Sequence, residues 1–223
     1  MLVLGACDAG TNSGGLLKDL TQPKPAPKQI SVAGNDVMIS GPAGFCIDPT
    51  ETKAQAKPAF VLLGSCQAIS GSPLQARPNV PAILVATVSA KTKGAAIATA
   101  GPTLRKFFNS DAGRKALSRD GNPKTVTVLE MLVQNNVFYI HARDSSKNTL
   151  AGAGQEYWRA LFNVNGRIVS ASAVGLLDQP ISSGAGFNTL KAFVNRIVTE
   201  NAPNSASKPA KSFFEQLFKK QPI

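Results

Sequence analysis

The chain has 223 residues, room for one domain of ordinary size with tails. Lys and Arg number 24 against 13 Asp and Glu, a formal charge of +11, while 43% of residues are hydrophobic, too many for a disordered chain. No apolar run approaches the ~18 residues of a membrane-spanning helix, so a helical channel or pump is not expected. One histidine and three cysteines exclude nearly every zinc site built from His and Cys alone.

The start reads Met1-Leu2-Val3-Leu4-Gly5-Ala6-Cys7-Asp8. Leu4, Gly5, Ala6 and Cys7 resemble the lipobox of bacterial lipoproteins, in which small residues before the cysteine fit the narrow pocket of the signal peptidase. The resemblance implies that lipid joins the Cys7 thiol and that cleavage makes Cys7 the first residue of the mature chain. Only six residues precede Cys7 and none is basic, so either the leader begins upstream of Met1 or the match is accidental. Asp8 resembles the signal that retains enteric lipoproteins at the inner membrane. Residues 8–28 are rich in Gly, Ser, Thr and Asn and end in Pro23-Lys24-Pro25-Ala26-Pro27-Lys28, a flexible then extended tether. Residues 1–28 are therefore read as truncated leader and tether, 29–201 as one domain, and 202–223 as a linker with a short basic tail.

With Cys7 acylated, Cys46 and Cys66 remain as a pair, each closing a short apolar stretch. In an oxidising periplasm they are expected to form a disulfide; two buried free thiols are the alternative. No C-x-x-C is present, so thioredoxin-like chemistry is not expected.

Along the domain, 29–33 and 36–40 alternate around Gly34-Asn35, a hairpin signal. Residues 48–58 read as loop, 59–65 as a buried strand, 68–81 as surface loop and 82–90 as a further strand. Residues 102–120 predict one helix, capped by Thr103, with Leu104, Phe107, Phe108 and Ala112 on its apolar side. Residues 124–133 and 137–143 predict a hairpin around Gln134-Asn135-Asn136. Residues 156–164 and 167–174 predict another, turning at Asn165-Gly166. A final helix over 185–200, capped near Ser183, carries Phe187, Leu190, Phe193, Val194, Ile197 and Val198 as one stripe. The fold class is α+β: mainly an antiparallel sheet of hairpins covered by two amphipathic helices, with flexible tails. The element order over 29–201 weakly resembles the PsbP-type α/β/α sandwich, which implies partner binding and no catalytic residues. The lipobox, the Pro-rich tether, Gly41-Pro42-Ala43-Gly44-Phe45-Cys46 and Phe213-Phe214-x-x-Leu217-Phe218 together resemble alphaproteobacterial lipoproteins. That resemblance implies a location and no activity.

Catalytic constellations are sparse. His141 is the only histidine; strand parity sets it with Tyr139 and Arg143 on the more polar face of its strand. No G-x-S-x-G is present, and Gly152, Gly154, Gly184 and Gly186 read as turns and not as a phosphate cradle. Glu130 is expected outward or paired with Arg159 or Arg143 across the sheet. Arg105, Lys106, Arg114, Lys115 and Arg119 cluster on the first helix and suit anionic lipid head groups, or serve solubility alone. In the tail, Phe213, Phe214, Leu217 and Phe218 fall on one side of a two-turn helix followed by Lys219 and Lys220, an accessory contact for membrane or partner.

The expected function is that of a lipid-anchored cell-envelope protein, non-enzymatic, on the periplasmic side of a bacterial membrane, with Asp8 favouring the inner membrane. It would meet membrane lipid through Cys7 and an envelope protein partner or the anionic membrane surface elsewhere, with no cofactor and no nucleic acid. One alternative is a periplasmic carrier or enzyme with a pocket near Tyr139, His141 and Trp158. Another is a basic cytoplasmic binding protein with three free thiols.

Overall fold

A computed structural model describes residues 25–92, 96–146 and 152–203. Cys7, most of the tether and the tail residues Phe213, Phe214, Leu217, Phe218, Lys219 and Lys220 lie outside the described residues. The strands are β1 (Gln29–Val32), β2 (Val37–Ser40), β3 (Phe45–Ile47), β4 (Ala59–Ser65), β5 (Ala82–Lys91), β6 (Val126–Gln134), β7 (Val137–Asp144), β8 (Ala153–Val164) and β9 (Arg167–Leu176). The helices are α1 (Cys66–Ser70), α2 (Gly101–Phe108), α3 (Asp111–Leu117) and α4 (Ser183–Glu200).

β3 to β9 form one antiparallel sheet in the order β3-β4-β5-β9-β8-β7-β6, and β1 and β2 pair as a separate ribbon. Turn chemistry sets the registers. Asn135 and Asn136 (φ 52° and 63°), and Asn165 and Gly166 (φ 49° and 73°), place both central residues of each two-residue turn in the left-handed region, which suits the twist of the flanking strands. Between β1 and β2 the loop is longer than a Gly34-Asn35 turn implies. Val32 pairs with Val37, and Ala33, Gly34 and Asn35 all have positive φ.

One long connection gives the fold its layers. After β5 the chain crosses to the far edge through a 3-10 turn at Ile97–Thr99, α2 and α3, enters β6, and meanders back through β7 and β8 to set β9 beside β5. The crossing segment covers the β6 to β8 part of one face of the sheet, and α4 packs on the other. On the α4 side Leu63, Leu84, Ala171, Ala173, Trp158 and Phe162 pack against Leu190, Phe193, Val194 and Ile197. On the crossing side Phe138, Ile140, Tyr157 and Val174 pack against Ile97, Phe108 and Leu117. Each such large apolar side chain contributes roughly 1.5–3 kcal/mol relative to exposure.

Helix boundaries depart from periodicity in identifiable ways. The helix expected over 102–120 is two helices, because Ser110 turns its hydroxyl back to accept the Gly113 N–H at 3.2 Å and so starts α3 afresh. Gly113 then lies so near the end of α2 that a Cβ there would meet the Phe107 carbonyl oxygen at 2.0 Å. α2 starts at Gly101 with Pro102 in its first turn, and Thr103 does not cap it. Phe108 is buried, but Phe107 is 41% exposed, so only one of the two is core. Within 68–81, expected as loop, the first residues instead complete α1, which ends at Gly71. α4 begins at Ser183 after an N-cap at Ser182, whose hydroxyl accepts the Ala185 N–H at 3.2 Å. Val198 faces solvent and leaves the stripe.

Two devices pin the peripheral segments. Asp36, at the β1–β2 loop, pairs with Arg167 at 2.8 Å and Lys91 at 3.1 Å, and the Asn165 amide donates to the Asp36 carbonyl at 2.6 Å. The Arg167 and Lys91 hydrogen bonds hold the Asp36 carboxyl below its ordinary range. At the other edge Cys46 of β3 and Cys66 at the start of α1 form the disulfide, with Cα atoms 4.7 Å apart. It closes a loop across a sequence separation of 20, worth about 3 kcal/mol in the chain-entropy account. Replacing both cysteines by alanine is expected to lower unfolding free energy by about that amount in urea titrations, with the α4 side intact. No change in midpoint would show that the bridge adds nothing to stability.

Candidate functional site

The crossing segment can cover only the strands it passes. α2 and α3 lie over the β6 side of the sheet, so among the described residues no helix spans the same face of β4 and β5. There Phe60 and Leu62 of β4, Ile83 and Val85 of β5, and Ser172 and Val174 of β9 form the floor of a trough. Residues 48–58 form one wall, and the loop after α1, with Arg77, Pro78 and Asn79, forms another. The trough has two lobes of about 970 and 510 Å³ that share Glu51 and Leu62. These are ordinary dimensions for a small-ligand site.

The lobes differ in charge. The larger contains Asp48, Glu51 and Arg77. Asp48 is already engaged, accepting the Thr50 N–H at 2.8 Å and the Thr50 hydroxyl at 2.6 Å. The smaller contains Lys53, Arg119 and Arg159 against Glu51 alone. Both arginines lie over the Tyr157 ring, their guanidinium carbons 5.7 and 5.2 Å from its centroid. Arg159 donates from Nε to the Ser172 hydroxyl at 3.1 Å and from Nη1 to the Ala116 carbonyl of α3 at 3.3 Å. Arg119 donates from Nη2 to the Gly154 carbonyl at 2.8 Å, and its backbone N–H donates to Asp144 at 2.7 Å. Tyr157 is locked from below by its hydroxyl, which donates to the Leu117 carbonyl at 2.8 Å.

Burial shapes the ionisation here. It lowers the basicity of Arg119, a shift that nearby Asp144 and Tyr157 oppose and Arg159 reinforces. Burial also raises the Tyr157 hydroxyl, keeping it a neutral donor. For Asp144, burial pushes upward, yet the backbone N–H groups of Ser146 and Arg119, at 3.0 and 2.7 Å, bring its carboxyl below the ordinary range.

The region that strand parity singled out is packed. The face carrying Tyr139 and His141 lies beneath α4, and His141 is 9% exposed. Its ring stacks on Trp158 with centroids 4.7 Å apart. Phe187 of α4 meets Trp158 at 4.6 Å and Tyr139 at 5.1 Å, and the indole N–H donates to Ser183 at 3.0 Å. The space left beside His141 and Trp158 is about 20 Å³. Glu156, at its rim, accepts from Arg143, which holds its carboxyl below the ordinary range, and lies 3.6 Å from the His141 imidazole. Glu130 is exposed and pairs with neither arginine: Arg143 takes Glu156, and Arg159 turns into the trough. Of the five cations expected on the first helix, Arg105, Lys106 and Lys115 are exposed, whereas Arg119 is drawn into the trough.

No protein-family model matches the chain, and no curated protein matches it. A crystal structure from Bacteroides thetaiotaomicron VPI-5482 is similar over 74% of this chain and 47% of its own, with 9% identity and a TM-score of 0.33. The chain thus spans about half the length of that structure.

The trough was not read from the sequence, although a signal for it exists. Ile168, Ser170, Ser172 and Val174 share one side of β9, and a side that mixes hydroxyls with apolar groups suits a half-open face better than a sealed one.

Proposed function

We propose that this chain is a lipid-anchored protein of the bacterial cell envelope that works by binding and not by catalysis. The observation that carries the reading is the trough, a strip of sheet that no helix among the described residues spans, with two guanidiniums at one end. Its apolar floor and few convergent polar groups suit the reception of a ligand or a partner segment. The lipobox at Leu4 to Cys7 and the Cys46–Cys66 bridge both favour export to an oxidising compartment. The PsbP-like order of elements agrees with a binding role. Exposed Phe107 among Arg105, Lys106 and Lys115 adds a basic, partly apolar surface suited to anionic head groups. The tail from Phe213 to Lys220 is the proposed second contact, which would reinforce the acyl anchor.

The test is fractionation of native cells with wild type and Cys7→Ser. Wild type is expected to lie in the membrane pellet, released by detergent and not by high salt, and to take up labelled fatty acid, while the variant is expected to take up none. Soluble wild type would remove the anchor from the account.

A further inference from the structure

Resting on the reading of the trough as a binding site, we infer that its smaller lobe takes the carboxylate of a fatty acid. Arg159, with Arg119 beside it, seats the acid, and the hydrocarbon lies along Phe60, Leu62, Ile83 and Val85.

Three features of the lobe lead there. The first is the state of Arg159. Of the donors on its guanidinium, Nε is bound to Ser172 and Nη1 to Ala116, and the side chain makes no ion pair among the described residues. Both bonds are to neutral oxygens, which fix the plane of the group without satisfying its charge. A half-buried cation held rigid over an aromatic ring and left without a counter-ion is pre-organised for an anion.

The second feature is the balance of charge. Three cations and one carboxylate line the lobe, so an anion is favoured, but Glu51 stands where the two lobes meet. A singly charged, planar carboxylate matches a guanidinium fork and meets less repulsion from Glu51 than a phosphate of higher charge. The third is the floor. Beyond the arginines the lining turns to Val85, Phe60 and Leu62, and continues to Ile83 in the larger lobe. A small polar anion would leave that strip bare, whereas an acyl chain gains affinity with each methylene it buries.

Calorimetric titration of the full chain with laurate, its neutral glycerol ester monolaurin, dodecyl phosphate and acetate tests the inference. Laurate is expected to bind at least tenfold tighter than monolaurin and dodecyl phosphate, with no measurable acetate binding at the same concentrations. Arg159→Ala is expected to weaken laurate at least tenfold, and Arg159→Lys several-fold, because lysine keeps the charge and loses the planar fork. Val85→Glu, on the open floor, is expected to abolish laurate binding while circular dichroism stays unchanged. Monolaurin binding as tightly as laurate would reject the acid site. Dodecyl phosphate binding tighter would reject the carboxylate in favour of a phospholipid head group. Unaltered laurate affinity in a folded Arg159→Lys or Val85→Glu protein would reject the trough as its place. A chain that sediments with membranes and ignores laurate loses only this ligand class, whereas one that binds laurate from the cytosol loses only the envelope reading.

Discussion

Replacing Trp158 by alanine is expected to destabilise the domain by about 3–5 kcal/mol, read as a fall in the urea midpoint. The indole is 4% exposed, sandwiched between His141 and Phe187, and donates its N–H to Ser183 at the first turn of α4. Truncation opens a large cavity between β8 and α4, and it also removes the polar tie that seats the start of that helix. Neighbours on the sheet cannot collapse into the space, because β7 and β9 hold β8 from both sides. The same substitution separates two accounts of this region. If Tyr139, His141 and Trp158 framed a ligand pocket, Trp158→Ala would leave stability nearly unchanged and alter binding instead.

Gly44→Ala is expected to cost roughly 2–5 kcal/mol, from two additive sources. Gly44 has φ +86°, where a Cβ costs about 1–2 kcal/mol. That Cβ would also lie 2.4 Å from backbone atoms of Arg77 and Pro78, and overpacking against a backbone that cannot rotate away adds about 1–3 kcal/mol. The turn before β3 has little room to retreat, since the Gly44 carbonyl accepts the Cys66 N–H at 2.9 Å beside the disulfide. Gly34→Ala is the matched control. Its φ is +76°, but nothing lies within 4 Å of the added carbon, so only the conformational part of the penalty applies. Equal denaturation midpoints for the two variants would contradict the close packing of the 77–78 segment on Gly44.

The local chemistry of this chain was easier to read than its layering. Asn165-Gly166 and Asn135-Asn136 announced their turns because few residues accept left-handed φ, and β4 was legible as an unbroken apolar run. Ser110 was harder: its cap competes with an apolar stripe that continues through Phe107 and Phe108, and only the contact at Gly113 decides for two helices. His141 was assigned to a polar face because Tyr139 and Arg143 share its parity. Parity sorts side chains to faces, but it does not say which face a later helix will cover, and α4 arrives more than forty residues downstream. The trough escaped for the same reason. It exists because the connection from β5 to β6 reaches over some strands and not others, a property of topology that no local pattern carries. Arg119 and Arg159 come from α3's end and from β8, and nothing in the spacing of those two residues foretells that they meet over Tyr157.

The most direct test of the envelope account is the intact mass of the protein extracted from the membranes of its own host. The account predicts a chain beginning at Cys7, heavier than its sequence by a diacylglyceryl group and further acyl carbon, and lighter by the two hydrogens of one disulfide. An unacylated chain recovered from the soluble fraction with three free thiols would contradict it.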